Sequence, residues 1–373
     1  MYKLTLLLLS VTLLFSCQKF DKYEEVSPEI TSASKPTGIM LEEYVGNDGH
    51  IRNILVFSSD KAYFNKIEEL EEAEEKEEQE FLNNHPDATE EEINRYDSIE
   101  HYDEYKVYKD FASYLKFNAL LYHYIDAENS WLNNSDLDEN LNPDLLFFGL
   151  SKGELAVLNV DFAYKIKNDK VNFIVKHFPD GIAVITDGDY STLNYLSRFK
   201  KLADIDLTNL KNVQSSFTSS FSCTSWNREV DYRTIEPRLR LYGVTRVTRF
   251  FVVWGYVVAF TKVRATAKTY KKLWWCNCWR KYRVSSLRAA IDGKVYIDAC
   301  GGSLTHTFDK NVDFREKHNR STVTYRLNFP VPYDAWPFDR IYVEDDKLWG
   351  HFYAKGIEWF KLDFYDGDWI QIH

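Results

Sequence analysis

Charge is divided by position along this chain, and the division limits how its parts can pack. Residues 1–210 hold 20 Lys and Arg against 40 Asp and Glu, whereas residues 211–300 hold 17 against 5. Residues 301–373 return to near balance, with 9 against 12. Nine of the ten tryptophans also lie after residue 220. Both shifts place a boundary in the Ser/Thr-rich stretch Gln214 to Ser225 and separate an acidic half from a basic, aromatic one. With 45% hydrophobic residues, either half has enough apolar material for a core.

The acidic half reads as helices with a small sheet. Ile51 to Phe57 is a short apolar run with branched residues, a buried strand by length. Ser58-Ser59-Asp60 then offers a helix cap, Phe64, Ile67 and Leu70 recur at helical spacing, and the segment continues into the nearly all-acidic Glu71 to Glu80. That acidic run is expected to be a solvated helix surface. Thr89 and Glu92 have the spacing of a capping box. A long amphipathic helix is expected to follow, broken near Asp103, with Phe111, Leu115 and Tyr122 packing on the Ile51–Phe57 strand. The tyrosines at 96, 102, 105 and 108 are expected in the core and its rim. Phe162–Ile166 and Val171–Val175 flank Asn168-Asp169 as a hairpin, and Ile182–Thr186 adds a strand after Asp180-Gly181. Asp187-Gly188-Asp189-Tyr190 and Asp366-Gly367-Asp368-Trp369 lack the ligand series of a calcium loop and read as turns.

The basic half reads as β. Lys262, Arg264, Thr266 and Lys268 alternate with Val263, Ala265 and Ala267, the pattern of a strand with one wet and one dry face. Phe250–Phe260 is expected to be one buried strand bent at Gly255, and Arg280–Arg288 to continue the β pattern. Ala289–Ile297 is expected to be a hairpin around a type I′ Asp292-Gly293 turn. Strands are also expected around Thr322–Phe329, Arg340–Val343, Leu348–Tyr353 and Trp359–Phe364. The fold class is therefore α+β: N-terminal helices with a small sheet, followed by a mainly antiparallel β domain, a sandwich or an open barrel.

At the other end, Lys3 precedes the apolar run Leu4–Phe15, too short to span a bilayer, and Leu14-Phe15-Ser16-Cys17 closes it. These four residues resemble the signal-peptidase site of bacterial lipoproteins. Gln18 to Glu25 is similar to the Lys-plus-acid tether of Bacteroidetes-type surface lipoproteins. The resemblance implies a signal peptide over 1–16 and acylation of Cys17. It also implies a membrane-lipid partner and display on the outer face of the outer membrane. The remaining divisions are expected to be a lipidated tether over 17–48, an α+β domain over 49–213 and a β domain over 214–373, with 26–48 a flexible stalk.

With Cys17 acylated, Cys223, Cys276, Cys278 and Cys300 remain, and an oxidising compartment makes two disulfides the expectation. Cys276 and Cys278, two apart in a strand-like run, are expected to pair outward, one with Cys223 and one with Cys300. A metal site from Cys276, Cys278, Cys300 and His306 is the less favoured alternative, because the spacing of a zinc site is missing. No catalytic residue, metal site or cofactor is assigned: there is no His-Glu-x-x-His, no Gly-x-Ser-x-Gly and no glycine-rich phosphate loop.

Two features have physical leverage. Arg264, Lys268, Lys272 and Arg280 are interleaved with Trp274, Trp275 and Trp279, and three readings fit them. They form a positive face for a glycan or another anionic surface polymer, with tryptophans stacking on sugar rings. They are ordinary wet-face residues over a tryptophan core. Or they dock on the acidic helices of residues 68–104. Nucleic acid is disfavoured by the net charge of −11 and by the expected surface location. The leading expectation is non-catalytic polymer binding through the β domain. A structural or protein-interaction lipoprotein of the envelope is the alternative, and an envelope hydrolase the third.

Overall fold

The computed structural model describes residues 38–206, 208, 210–215, 227–236, 238–248, 251–253, 256–259, 262–299, 302–328, 348–355 and 357–363. Among them are seven α-helices and eighteen strands, in an α+β arrangement without a closed barrel. The expected signal peptide, Cys17, Cys223, Cys300 and the Arg340–Val343 strand lie outside the described residues.

The first sheet has six strands in sequential order: β1 (Ile39–Val45), β2 (Ile51–Phe57), β3 (Ala163–Lys167), β4 (Asn172–Phe178), β5 (Gly181–Ile185) and β6 (Val213–Ser215). Residues 39–45, expected in a stalk, are thus an edge strand. They pair with β2 in full register from Ile39↔Phe57 to Val45↔Ile51, because Asn47-Asp48-Gly49 supplies the turn of a hairpin. At the other edge, β6 straddles the boundary expected at 213/214. The β3–β4–β5 meander forms where the sequence places it. The β2–β3 pair is parallel, so its connection must be a crossover, and that crossover carries six of the helices.

Those helices are α1 (Asp60–Asn83), α2 (Glu90–Ile99), α3 (Lys106–Tyr114), α4 (Leu120–Leu132), α5 (Pro143–Leu146) and α6 (Lys152–Val157). Their starts are written in the sequence. Ser59 accepts from Ala62 N, Thr89 and Glu92 form a capping box, Asn142 caps ahead of Pro143, and Ser151 and Glu154 form a second capping box. The long helix expected after Glu92 is three, broken again after Tyr114 where Lys116 takes φ +53°. One face of the sheet buries Leu55, Phe57, Tyr164, Phe173 and Val184 against this layer, with Phe111, Leu115 and Tyr122 half-buried against the same core. The other face packs on α7 (Tyr190–Leu196). Asp189 caps α7 through Ser191 N and Thr192 N, which is what Asp187-Gly188-Asp189 does in this fold.

The β half is two sheets face to face. The first comprises β7 (Asn227–Glu236), β8 (Leu239–Thr248), β11 (Lys262–Lys272), β12 (Trp279–Lys281) and β16 (Thr322–Asn328), with β8 on one edge of β11 and β12 and β16 on the other. The second comprises β13 (Leu287–Ala299), β14 (Gly302–Phe308), β15 (Phe314–Lys317), β17 (Trp349–Ala354) and β18 (Ile357–Asp363). Leu241, Val263, Ala265 and Ala267 from the first meet Leu287, Ala289, Ile291 and Phe352 from the second. The dry face of 262–268 is therefore the inside of a sandwich.

Two local expectations fail for identifiable reasons. Phe250–Phe260 is not one strand: β9 (Phe251–Val253) pairs antiparallel with β10 (Tyr256–Ala259). Asp292-Gly293 is not a hairpin turn. A type I′ turn needs φ > 0 at both residues, yet only Gly293 has it, at +124°. β13 runs straight through, because Leu287–Asp292 already pairs with β17 and Gly293–Ala299 pairs with β14; the glycine marks a change of partner.

The sheets approach most closely at glycines. A Cβ on Gly243 would lie 2.5 Å from the Phe352 ring, and one on Gly350 would collide with Thr245. We expect Gly243→Ala to destabilise the chain by ~1–3 kcal/mol, the cost of overpacking a filled core. A chemical-denaturation series should show that Phe352→Leu in the same chain recovers part of the loss, whereas additive effects would show that the two do not touch.

Candidate functional site

The face of β11 expected to be wet is covered by the helices. Register places Arg246 of β8, Arg264 of β11 and Arg326 of β16 directly opposite one another, and backbone pairing carries the row on to Arg228 of β7. Like charges so placed repel. The helical layer answers them with carboxylates: Glu154 accepts from Arg246 at 2.9 Å and stands 3.6 Å from Arg264, and Glu71 pairs with Arg326. One turn pair further along α1, Glu74 meets Lys152, Glu75 meets Lys317, Arg315 and Arg320, and Glu78 meets Arg283 and Arg320. Glu71, Glu74, Glu75 and Glu78 have i, i+3, i+4, i+7 spacing, a single stripe. The acidic run is therefore part solvated face, at Glu72 and Glu80, and part docking surface.

The network continues inward. Glu104 accepts from Lys152 at 2.7 Å and from Lys281, while Glu128 takes Lys281 at 2.9 Å and the Tyr105 hydroxyl at 2.6 Å. Lys268 donates to both oxygens of Asp144, at 2.8 and 2.7 Å, and to the Tyr124 hydroxyl at 3.0 Å. Asn94 of α2 exchanges two 2.8 Å bonds with the Arg283 backbone, and Arg283 Nε donates to Asp97 at 2.6 Å. Beyond the charges, Trp131 of α4 stands edge-on to Tyr242 and Tyr270.

Proton affinities follow from these contacts. Burial alone would raise the Glu104 carboxyl, but Lys152 and Lys281 outweigh it and hold it well below the usual carboxylate range. Burial, with Arg264 nearby, pushes Arg246 down to about 10 despite Glu154, and burial with Arg326 nearby lowers Arg264. Seven carboxylates and ten basic side chains among the described residues line a cleft of about 370 Å3 between α1, α2 and the β11/β16 face. This is the gathering of carboxylates that a hydrolase reading asks for. A general acid must keep a proton near neutral pH, and Glu104 is driven the opposite way, so it is not a proton donor. Asp97 is raised by burial, but its oxygen is committed to Arg283.

The residues singled out from sequence separate into two groups. Arg264 and Lys268 are in the ion network just described. Lys272 donates to Ser135 O at 2.6 Å, Arg280 donates to the Ser98 hydroxyl at 2.8 Å, and Trp279 is buried, donating to Ser135 O at 3.2 Å beneath the Arg240 guanidinium. Trp274 and Trp275 differ: they are 79% and 65% exposed, adjacent, at the tip of the β11–β12 hairpin.

That tip is closed by a disulfide between Cys276 and Cys278, not by outward bridges. The segment is a turn rather than a strand: Leu273 N donates to Cys278 O at 2.8 Å, and Asn277 takes φ +53°. The reversal brings the two Cα atoms to 5.1 Å, within bridging range. Sequence reasoning missed Glu154 and Asp144, the principal anions of the network, although Ser151-x-x-Glu154 is a legible capping box and Asn142-Pro143-Asp144 a legible helix start.

No family model matches this chain, and no curated protein matches it. Among solved structures, the crystal structure of a DUF4848 family protein from Bacteroides thetaiotaomicron aligns over 85% of this chain and 96% of that chain, at 12% identity and a TM-score of 0.18. A likeness of that degree carries no argument about fold or function. No helix among the described residues is long and apolar enough to cross a membrane.

Glu104 has a clear pH signature. Its proton affinity is lower in the fold than in the unfolded chain, so its contribution to stability is full above the ordinary carboxylate pKa of about 4.3 and is lost as pH falls through and below it. We expect urea unfolding followed over a pH series to show this acid loss, and Glu104→Gln to shrink it by roughly one proton. At neutral pH that variant should cost ~3 kcal/mol, because two buried lysines lose a shared partner. An unchanged pH slope would place the acid sensitivity elsewhere.

Proposed function

We propose that this chain is a non-catalytic binding protein that engages an extracellular polymer, specifically a glycan, through Trp274 and Trp275. The observation that carries the reading is the exposure of two adjacent indoles on a turn closed by a disulfide. Exposed Trp normally has to be held against collapse onto the surface; here the Cys276–Cys278 bridge shortens the loop and limits its freedom. Indole faces suit the apolar C–H faces of sugar rings, and a constrained platform loses little entropy on binding. The basic stripe does not act as the binding face in this reading, since Arg264, Lys268, Lys272 and Arg280 have partners within the chain.

The location we propose is the outer face of the outer membrane, with acylated Cys17 as the anchor. Several acyl chains, at roughly 0.8 kcal/mol per buried methylene, hold such a protein durably. It rests on Leu14-Phe15-Ser16-Cys17 and on the tether of residues 18–25. Palmitate labelling of cells making the full chain tests it: Cys17→Ala should abolish both the label and membrane partitioning, and a wild-type chain without label would refute it.

A glycan array probed with the full chain tests the binding. Trp274→Ala with Trp275→Ala should reduce retention by roughly tenfold or more, the effect of removing stacking platforms worth ~1–1.5 kcal/mol each. The melting temperature should not change, since neither ring is in the core. Silence of the wild-type chain across neutral and acidic glycans would overturn the reading in favour of a structural or protein-interaction role.

A further inference from the structure

The cleft between the helices and the β11/β16 sheet has an uneven floor and roof. Strand alternation puts Arg264, Thr266 and Lys268 of β11 on the helix-facing side, and register sets Arg326, Thr324 and Thr322 directly against them. The floor is therefore a two-column patch of cations at the corners and hydroxyls between, all able to donate and with no carboxylate among them. At ~3.4 Å per residue it runs about 14 Å along the strands and ~5 Å across. Arg320, two residues before Thr322, extends the same side and is 1% exposed. Every acid in the cleft comes from the helical layer above.

That layer does not fully neutralise the floor. The lining holds ten basic side chains against seven acidic ones among the described residues. Arg246, Glu128 and Glu154, which meet the lining from behind, bring this to eleven against nine. Arg315 is nearly half exposed and solvated, so the lining is close to balanced with a slight positive bias toward its cationic floor. Burial, against the pull of Glu75 and Glu74, also leaves Arg320 with a weaker hold on its proton than a free arginine has.

A second observation is independent of charge. Thr266 and Thr324 share a 3.1 Å hydroxyl contact, but Thr322 Oγ1 is buried with no partner. It sits opposite Lys268 in register and lines the cleft. At the other end Glu71, over Arg326, has a buried oxygen without a donor, so that end offers a spare acceptor where the Thr322 end offers a spare donor.

We propose that the Thr322 end of this cleft binds a tetrahedral dianionic group, a phosphate or a sulfate, with Thr322 donating its hydroxyl and with Lys268 and Arg320, shared with Asp144, Glu75 and Glu78, turning toward it. The site is distinct from the tryptophan tip and does not depend on the glycan reading. Its hydroxyl and cationic side chains are the donor types that such a group's oxygens accept from.

Titration calorimetry of the full chain with inorganic phosphate, with inorganic sulfate, and with a phosphorylated and a sulfated monosaccharide, all at fixed ionic strength, tests this. Saturable one-to-one binding of either inorganic ion supports recognition of the group alone; binding confined to a sugar ester supports recognition of the same group on a carrier. Thr322→Val, which removes a hydroxyl with no partner in the fold, should weaken binding by roughly tenfold while thermal stability holds or rises. Arg320→Gln should weaken it further, and Trp274→Ala should leave it unchanged. No saturable binding by any of the four ligands overturns the proposal, as does undiminished binding by both the Thr322→Val and the Arg320→Gln variants.

Discussion

The architecture depends on three arginines that should not be neighbours. Arg246, Arg264 and Arg326 lie across adjacent strands, about 4.8 Å apart in the hydrogen-bonding direction. Like charges directly opposite across a sheet destabilise it. A β-sheet would normally turn such a row to water. Here it turns inward, with Arg246 only 3% exposed, and the arrangement holds because Glu154 and Glu71 arrive from the helical layer. Sheet and helices are thus mutually required, since each presents a face that is unfavourable without the other.

This dependence explains the composition of α1. Its 24 residues bury little apolar surface: Tyr63, Ile67, Leu70 and, at the far end, Phe81. Between Leu70 and Phe81 the helix is held by good helix-forming residues and by a stripe of glutamates against the β half. Glu154 shows the same economy. One of its oxygens accepts from Ser151 N at 2.7 Å to complete a capping box and also pairs with Arg246. The N-terminus of α6 would repel a guanidinium through its exposed N–H groups; the capping carboxylate reverses the local sign.

What the sequence made legible was local, and what it hid was long-range. Ser59, Thr89 and Glu92 are caps because a side-chain oxygen three residues from its partner N–H needs no tertiary information. The β3–β4 hairpin and the alternation of 262–268 are legible for the same reason. At Asp292-Gly293 and Phe250–Phe260 local turn and strand propensities are weaker than the pairing offered by neighbouring strands. The Cys276–Cys278 bridge is hidden because a strand-like run implies an extended backbone, whereas Asn277 is left-handed. Whether the polar face of β11 meets water or acid is settled by pairs such as Arg326–Glu71, 255 positions apart, which no periodicity contains. The opposed charges of the two halves did announce a partner for each, and internal docking was among the readings they left open.

Buried ion pairs contribute little net stability, because desolvation cancels most of their attraction. Their value here is positional. Apolar contact between a helix and a sheet tolerates sliding by a turn, but acids at 71, 74, 75 and 78 against cations fixed by strand register do not. Committing these cations inward also changes what the β half presents to solvent. A stripe that reads in sequence as an outward positive face becomes an internal joint, while the two indoles of the hairpin tip stay exposed. Where the joint is incompletely matched, as at the Thr322 hydroxyl without a partner among the described residues, it leaves a donor for a small anion.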